Sequence, residues 1–328
     1  MGMVGRMLDA SVVASFDGSG FRRHARDFDP RDLEVDLTGR RILVTGASGG
    51  LGLATARALA QRGATVLVGS RSAARAQDAC ATIEASVETP VSLEPAVFDV
   101  SSVAGSRAWA AAGTAKRLDG LIHTAGVLPK TRSVTDEGHE QTVATNLIGP
   151  FALTMALLPQ LRRSDDARVI WVSSGGMLTQ KLHVGDTFDP PEPFDGVVAY
   201  ARTKRAEVVL ARALQAALGS DIAVYSMHPG WAATPGVEHS LPRFFQLMQR
   251  RLRTPAEGAD TTVWLAAKTP RPAPVGAFWF DRAVAKVHPL PGTRCTDAEE
   301  ARLWARLVDI VGLSLPHGEA RPDQPAPD

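Results

Sequence analysis

Short apolar runs alternate along this chain with longer stretches whose apolar residues recur at helical spacing. Residues 42–44 form such a run, closed by Gly46, and predict a buried strand ending in a turn. Residues 51–62, alanine-rich and stopped by Gly63, predict a helix. Runs at 65–69, 93–98, 120–124, 168–173, 222–227 and 276–280 repeat the strand pattern. Helical spacing recurs at 73–86, 142–161, 199–218 and 256–267, and another helix is expected between the third and fourth strands. This alternation, without hairpin turns, predicts a parallel sheet joined by right-handed crossover helices.

The rhythm sets in near residue 40 and defines one domain over 40–315, with no internal repeat. Residues 1–39 form a mixed-charge extension whose apolar start is cut by Asp9, so it lacks the core of a secretory signal. It reads as a segment that packs on the body or stays disordered, a membrane-surface helix being the other reading. Residues 177–198 are an insertion rich in proline and aspartate. Residues 231–255 hold Trp231, Phe244, Phe245 and Met248, an apolar lid over a substrate or ordinary packing. The polar, proline-rich stretch 316–328 is expected to be disordered.

Charge changes this picture by exclusion. The 36 basic and 35 acidic residues leave a formal charge of +1, which gives no electrostatic case for nucleic acid or an anionic membrane. No apolar window is long enough to span a bilayer. Two separated cysteines, Cys80 and Cys295, fit a reducing cytoplasm better than a disulfide framework. His139-Glu140 begins no HExxH, so no metal site is expected.

The first strand-to-helix turn reads Thr45-Gly-Ala-Ser-Gly-Gly-Leu-Gly52. Gly46 permits a sharp turn, Gly50 lets backbone approach a pyrophosphate, and Gly52 lets the helix sit close to the sheet. Ser48, Gly49 and Leu51 complete the candidate cradle, and the helix N-terminus offers N–H groups to phosphate. The second strand ends in Gly69-Ser70-Arg71, without the acid that binds a ribose 2′-hydroxyl. Ser70 and Arg71 suit a 2′-phosphate, which favours NADP(H); a solvated surface arginine is the alternative. Asp99, followed by Val100, is placed either to accept from an adenine amino group or to cap the next helix.

The chain has two tyrosines, and Tyr200 has Lys204 four residues on, a spacing chance gives in roughly 4% of such chains. On a helix the two share a face. An ammonium ~5 Å from a phenol favours phenolate by about 3 kcal/mol at an effective dielectric near 20, which suits acid–base catalysis. Ser174 follows the strand 168–173, at the sheet edge where open α/β folds bind ligands. Strand-end capping is the alternative, stronger for Ser173 than for Ser174. Asn146 lies in an apolar helix, where asparagine is unfavourable without a specific bond. His228 is placed at the site mouth, with a plain loop histidine as the other reading.

TGASGGLG, Asp99-Val100, Thr124-Ala125-Gly126, Asn146, Ser174, Tyr200-x-x-x-Lys204 and Pro229-Gly230 resemble, in order and spacing, the motifs of the short-chain dehydrogenase/reductase family. The resemblance covers roughly residues 31–290 and implies a doubly wound Rossmann fold, a seven-stranded parallel sheet with helices on both faces. It implies an oxidoreductase that interconverts carbonyl and alcohol on a small molecule. Tyr200 would exchange the proton, and Lys204 would favour its phenolate and hold the nicotinamide ribose. Ser174 would orient the carbonyl, and Asn146 would hold a relay water reaching Lys204. Gly46, Gly50 and Gly52 would line the pyrophosphate, Thr124, Ala125 and Gly126 the adenosine side, and Pro229, Gly230 and Thr234 the nicotinamide half. It also implies dimers or tetramers through the helices of Thr142 and Ala199, a face that the extension or insertion is able to block. Two departures stand out: His123-Thr124 where the family usually has asparagine, and a long gap from Ser174 to Tyr200. The competing classes are a non-catalytic NADP-binding regulator, for which the tyrosine would be superfluous, and a sugar epimerase, which needs a larger C-terminal domain.

Overall fold

A computed structural model describes residues 12–113 and 116–313. Its sheet has the order β3-β2-β1-β4-β5-β6-β7-β8. The first seven strands are β1 Arg41–Thr45, β2 Thr65–Ser70, β3 Ser92–Val97, β4 Gly120–His123, β5 Ala167–Val172, β6 Ile222–Met227 and β7 Phe278–Phe280. They pair in parallel, as a doubly wound Rossmann fold requires. The sequence pattern did not reveal β8, Ala283–Val284, which returns antiparallel to β7. Its turn carries Asp281 and Arg282 at φ 48° and 58°, left-handed geometry that an apolar-run criterion does not detect.

Residues along each strand alternate sides, and each side builds a core. Leu43, Leu67, Leu121, Val169, Trp171 and Val224 belong to one buried cluster, with the helix residues Phe151, Ala206 and Leu210. Ile42, Val44, Val66, Val68, Ile170, Val172 and Tyr225 belong to the other, with Ala56, Leu59, Val263 and Trp264. Burial on both faces explains why these strands read as continuous apolar runs.

The helices are α1 Val12–Phe16, α2 Gly18–His24, α3 Gly50–Ala60, α4 Ala73–Ala85, α5 Val103–Ala111, α6 Gln141–Val143, α7 Gly149–Ala156, α8 Leu158–Leu161, α9 Val184–Phe188, α10 Gly196–Leu218, α11 Pro235–Ser240, α12 Pro242–Met248, α13 Pro255–Ala267 and α14 Asp297–Ile310. The single helix expected over 142–161 is broken. A π-helical segment, Ala144–Ile148, joins α6 to α7, and Gly149 N–H bonds to Ala144 O. Pro150 has no N–H for the carbonyl of Asn146 four residues back, so an α ladder cannot run through. Gly149 is required there, because a Cβ would strike the Val100 carbonyl.

Helix α14 was not expected from the sequence either. Leu303 and Leu307 are buried, and they join the Phe151–Leu210 cluster. From Phe16 onward the N-terminal extension packs on the body: Leu37 is buried, and Asp32 accepts from Trp264 Nε1 at 2.7 Å and pairs with Lys268. The expectation for 316–328 lies outside the described residues, as does that for the first eleven.

Candidate active site

The strands' C-terminal edge collects the motif residues. Helix α3 begins at Gly49 with no side-chain cap, whereas Ser72, Ser102, Asp195, Thr254 and Thr296 cap α4, α5, α10, α13 and α14. Its first-turn N–H groups are therefore not taken by a local side chain, the arrangement that suits an anion. Gly46 has φ 65°, and a Cβ on it would lie 2.8 Å from Ala125 Cα. A Cβ on Gly52 would strike the Gly46 carbonyl and sit 2.6 Å from Thr124 Oγ1. At Gly49 a Cβ would meet nothing within 4 Å, and at Gly50 it would lie 3.3 Å from Thr234. A cradle open at Gly49, lined by backbone and bordered by Thr234, fits the pyrophosphate of a dinucleotide. Ser48 and Leu51 belong to the same turn; Leu51 leans toward Gly258 of α13.

At the end of β2, Ser70 is buried and accepts from Ser72 N at 3.3 Å. Arg71 is exposed and has no carboxylate partner among the described residues. Asp99 accepts from Ser101 N at 2.8 Å and Ser101 Oγ at 2.7 Å. The N-cap of α5 is Ser102, so the capping alternative for Asp99 is displaced by a tight turn that presents Val100 and Ser101. Thr124 donates to the Thr45 carbonyl, and Ala125 N to Thr45 Oγ1 at 3.3 Å, tying β4 to β1. His123 is buried and meets Thr154 Oγ1 at 2.8 Å. Burial, with Lys204 nearby, pushes it down to about 3, so it stays neutral.

Tyr200 and Lys204 lie on α10, with the Lys204 Nζ 5.6 Å from the Tyr200 ring centroid. Ser174 follows β5 and caps a short 3₁₀ turn by accepting from Gly176 N at 3.3 Å. Gly176 faces Ala201, the neighbour of Tyr200: a methyl placed on Gly176 would lie 3.7 Å from Ala201 Cβ. Ser173 instead donates to the Lys204 carbonyl at 2.8 Å. Asn146 sits in the π-helical segment. Its Oδ1 accepts from Val127 N at 2.8 Å, and its Nδ2 donates to Val127 O at 3.2 Å and Thr203 Oγ1 at 3.1 Å. A methyl on Gly126 would lie 3.4 Å from Asn146 Oδ1 and 3.6 Å from Lys204 Nζ. Gly126, Asn146 and Lys204 are thus immediate neighbours.

Several contacts were not foreseen. Lys204 Nζ donates to Val172 O at 3.0 Å and to Glu207 Oε1 at 2.7 Å. Burial opposes the charge on Lys204, yet Glu207 and Tyr200 hold its pKa above the ordinary lysine value. Burial pushes Glu207 up to about 7, only partly offset by Lys204. The readable signal was an acid three residues after the lysine, on the buried face of α10.

Phe16, from the N-terminal extension, lies 2.6 Å from a methyl placed on Gly175, next to Ser174. Its carbonyl accepts from Trp231 N at 2.8 Å and from Arg253 Nε at 2.9 Å. Arg253 is buried and pairs with Asp281 at 2.5 and 2.8 Å, and His24 Nδ1 meets Asp281 at 2.6 Å. His228 lies within this cluster, stacked on Phe280 with centroids 4.1 Å apart and 4.5 Å from Phe16. Gly230 N donates to its Nδ1 at 3.2 Å, and burial beside Arg253 pushes it down to about 3. It is therefore a packed, neutral ring. Pro229 is buried and Gly230 takes φ 70°. Helices α11 and α12 cover 235–248 with no buried residue; Phe244 meets Trp231 edge-on at 5.3 Å.

Comparison with known proteins agrees with this geometry. The family model "short chain dehydrogenase" matches residues 40–242. A curated relative, dehydrogenase/reductase SDR family member 12 of Bos taurus, is 40% identical over 308 residues, 92% of this chain and 96% of the relative. Among solved structures, one of an uncharacterized protein from Mycobacterium paratuberculosis aligns with TM-score 0.67 and 26% identity, over 86% of this chain and 97% of that one. A Pseudomonas aeruginosa RhlG/NADP active-site complex aligns with TM-score 0.61 and 27% identity, over 76% and 96%. The chain belongs to the short-chain dehydrogenase/reductase family and is an NAD(P)-dependent oxidoreductase. Among the described residues no helix is long and apolar enough to cross a membrane.

Proposed function

We propose that this protein interconverts a carbonyl and an alcohol on a hydrophobic small molecule, using NADP(H) in preference to NAD(H). The observation that carries the reading is the placement of Tyr200, with the Lys204 ammonium 5.6 Å from its ring, on the helix beside the Ser174 turn. Tyr200 hands its proton to the substrate oxygen in reduction and takes it back in oxidation. Ser174 donates to the same oxygen and fixes its direction. Lys204 favours the phenolate left on Tyr200. The nicotinamide, when bound, supplies or accepts the hydride. Gly46, Ser48, Gly49, Gly50, Leu51 and Gly52 would hold the pyrophosphate; Thr124, Ala125, Gly126, Asp99 and Val100 the adenosine half; Pro229, Gly230 and Thr234 the nicotinamide half.

The cofactor preference rests on the exposed, carboxylate-free Arg71 beside Ser70, a pair suited to a 2′-phosphate. The aromatic wall of Phe16 and Trp231 beside Ser174 supports an apolar substrate. Cytoplasmic location is proposed from the two unpaired cysteines. The deciding experiment screens varied carbonyls with NADPH and with NADH, using wild type and Tyr200→Phe. We expect NADPH oxidation by wild type, reduced at least ~100-fold in the variant. Equal rates on a substrate that wild type turns over would sink the role of Tyr200. A clear NADH preference would overturn the reading of Arg71.

A further inference from the structure

Tyr200, Lys204 and Glu207 lie four and three residues apart on α10, so all three fall on one stripe of the helix. Lys204 sits in the middle and is 3% exposed, and Glu207 is 2% exposed. An ammonium has three donors. One goes to Val172 O and one to Glu207 Oε1, which leaves a third; Gly126 and Asn146 lie beside this ammonium. Glu207 Oε2 has no hydrogen-bond partner within the described protein.

We propose that Glu207 is a positioning residue of the acid–base pair: it pins the Lys204 ammonium and, through its own charge, sets how strongly that ammonium favours the Tyr200 phenolate. The inference rests on the reading of Tyr200 as the proton-exchanging group. With Glu207 ionised, the Lys204–Glu207 pair is neutral overall, and Tyr200 feels a dipole. With Glu207 protonated, it feels a full positive charge. The charged and titratable groups around this carboxyl are few. Among the described residues Lys204 faces it along α10, Tyr200 acts on Lys204 from the preceding turn, and His123 acts on Lys204 from β4 but stays neutral. On the neighbouring strand β5, Trp171 stacks on that His123 ring at 4.5 Å.

The chain permits a test that needs no substrate. It has only two tyrosines, and burial pushes Tyr225 up to about 12. Ultraviolet tyrosinate absorbance read at alkaline pH, with Tyr200→Phe as the blank, therefore isolates the contribution of Tyr200. In this range Glu207 is ionised, so Glu207→Gln removes a full negative charge about 10 Å along the helix from Tyr200. The phenolate should become about tenfold more populated at a given pH, a shift of about one unit toward lower pH. Glu207→Asp keeps the charge and should titrate close to wild type, whereas a merely structural role predicts that Asp disturbs the site as much as Gln. A second measurement needs no variant: carboxyl carbon resonances of the wild-type protein should include one glutamate titrating near neutrality. An unchanged tyrosinate titration in folded Glu207→Gln, or no glutamate titrating near neutrality, overturns the inference. Failure of the role of Tyr200 in proton exchange with substrate would leave the titration result standing, so the two readings fail separately.

Discussion

Acidification should expose the buried histidines. His123 and His228 are each pushed down to about 3 by burial, while an unfolded chain protonates histidine near ~6.5. Between these values the unfolded state binds more protons, so stability is complete above about pH 6.5 and is lost as pH falls below it. Each histidine then costs about 2 kcal/mol between about pH 7.5 and about pH 5. Glu207 acts in the opposite sense. Its folded pKa of about 7 lies above the ordinary glutamate value, so the native state takes up a proton first and regains about 2 kcal/mol over the same interval.

These three groups together should thus remove only about 2 kcal/mol of unfolding free energy between those two pH values, with His288, whose pKa burial also lowers, adding to the loss. Glu207→Gln removes the compensation, and its loss should exceed that of wild type by about 2 kcal/mol. His123→Asn should flatten the wild-type profile by about 1.4 kcal/mol per pH unit below about pH 6.5. Urea denaturation followed by tryptophan fluorescence at a series of pH values measures each quantity. Identical slopes for wild type, Glu207→Gln and His123→Asn would refute the reasoning, because the three differ in the groups held to cause it.

Three further outcomes are expected. Arg71→Glu should weaken NADPH binding at least tenfold while sparing NADH, read by cofactor fluorescence, since the new carboxylate opposes a 2′-phosphate; equal weakening of both would count against Arg71 as the discriminator. Phe16→Ala should lower stability by about 3 kcal/mol, as removal of a buried ring does, and raise KM for bulky carbonyls more than kcat, because the ring borders Gly175; a loss of stability with unchanged KM would confine Phe16 to packing. The chain should run as a monomer in light-scattering chromatography, because α14 places Trp304 against Phe151 at 5.7 Å and Arg212 against Glu300, over the helices through which the family resemblance implies association; a dimer that persists on dilution would contradict this.

The sheet was legible because its strands are buried on both sides: the runs at 65–69 and 222–227 correspond to Thr65–Ser70 and Ile222–Met227 within a residue. Helix α14 left a fainter trace. Its buried contribution rests on Leu303 and Leu307 among charged residues, although the capping box of Thr296 and Glu299 is a purely local signal. The break in the 142–161 helix was encoded by Gly149-Pro150, yet its form depends on the Val100 carbonyl, which only the tertiary structure brings close.

The candidate site divides along the same physical line. Spacing along one helix places Tyr200 and Lys204 on a common face, and the glycine turn is local backbone geometry. Glu207 obeys the identical spacing rule, but its reading depends on burial: an acid on a helix is ordinarily solvated, and only the packed position of α10 turns it into Lys204's partner. Phe16 has no spacing rule at all, because five strands of the sheet separate it from Gly175 along the chain. The same holds for the clamp of Arg253, Asp281 and His24, which anchors the extension beside Ser174. The proposed acid–base pair is therefore carried by short-range pattern, whereas the aromatic wall proposed to meet the substrate is assembled from three distant segments. For that reason specificity should respond to changes in the N-terminal extension that leave the Tyr200–Lys204 pair untouched.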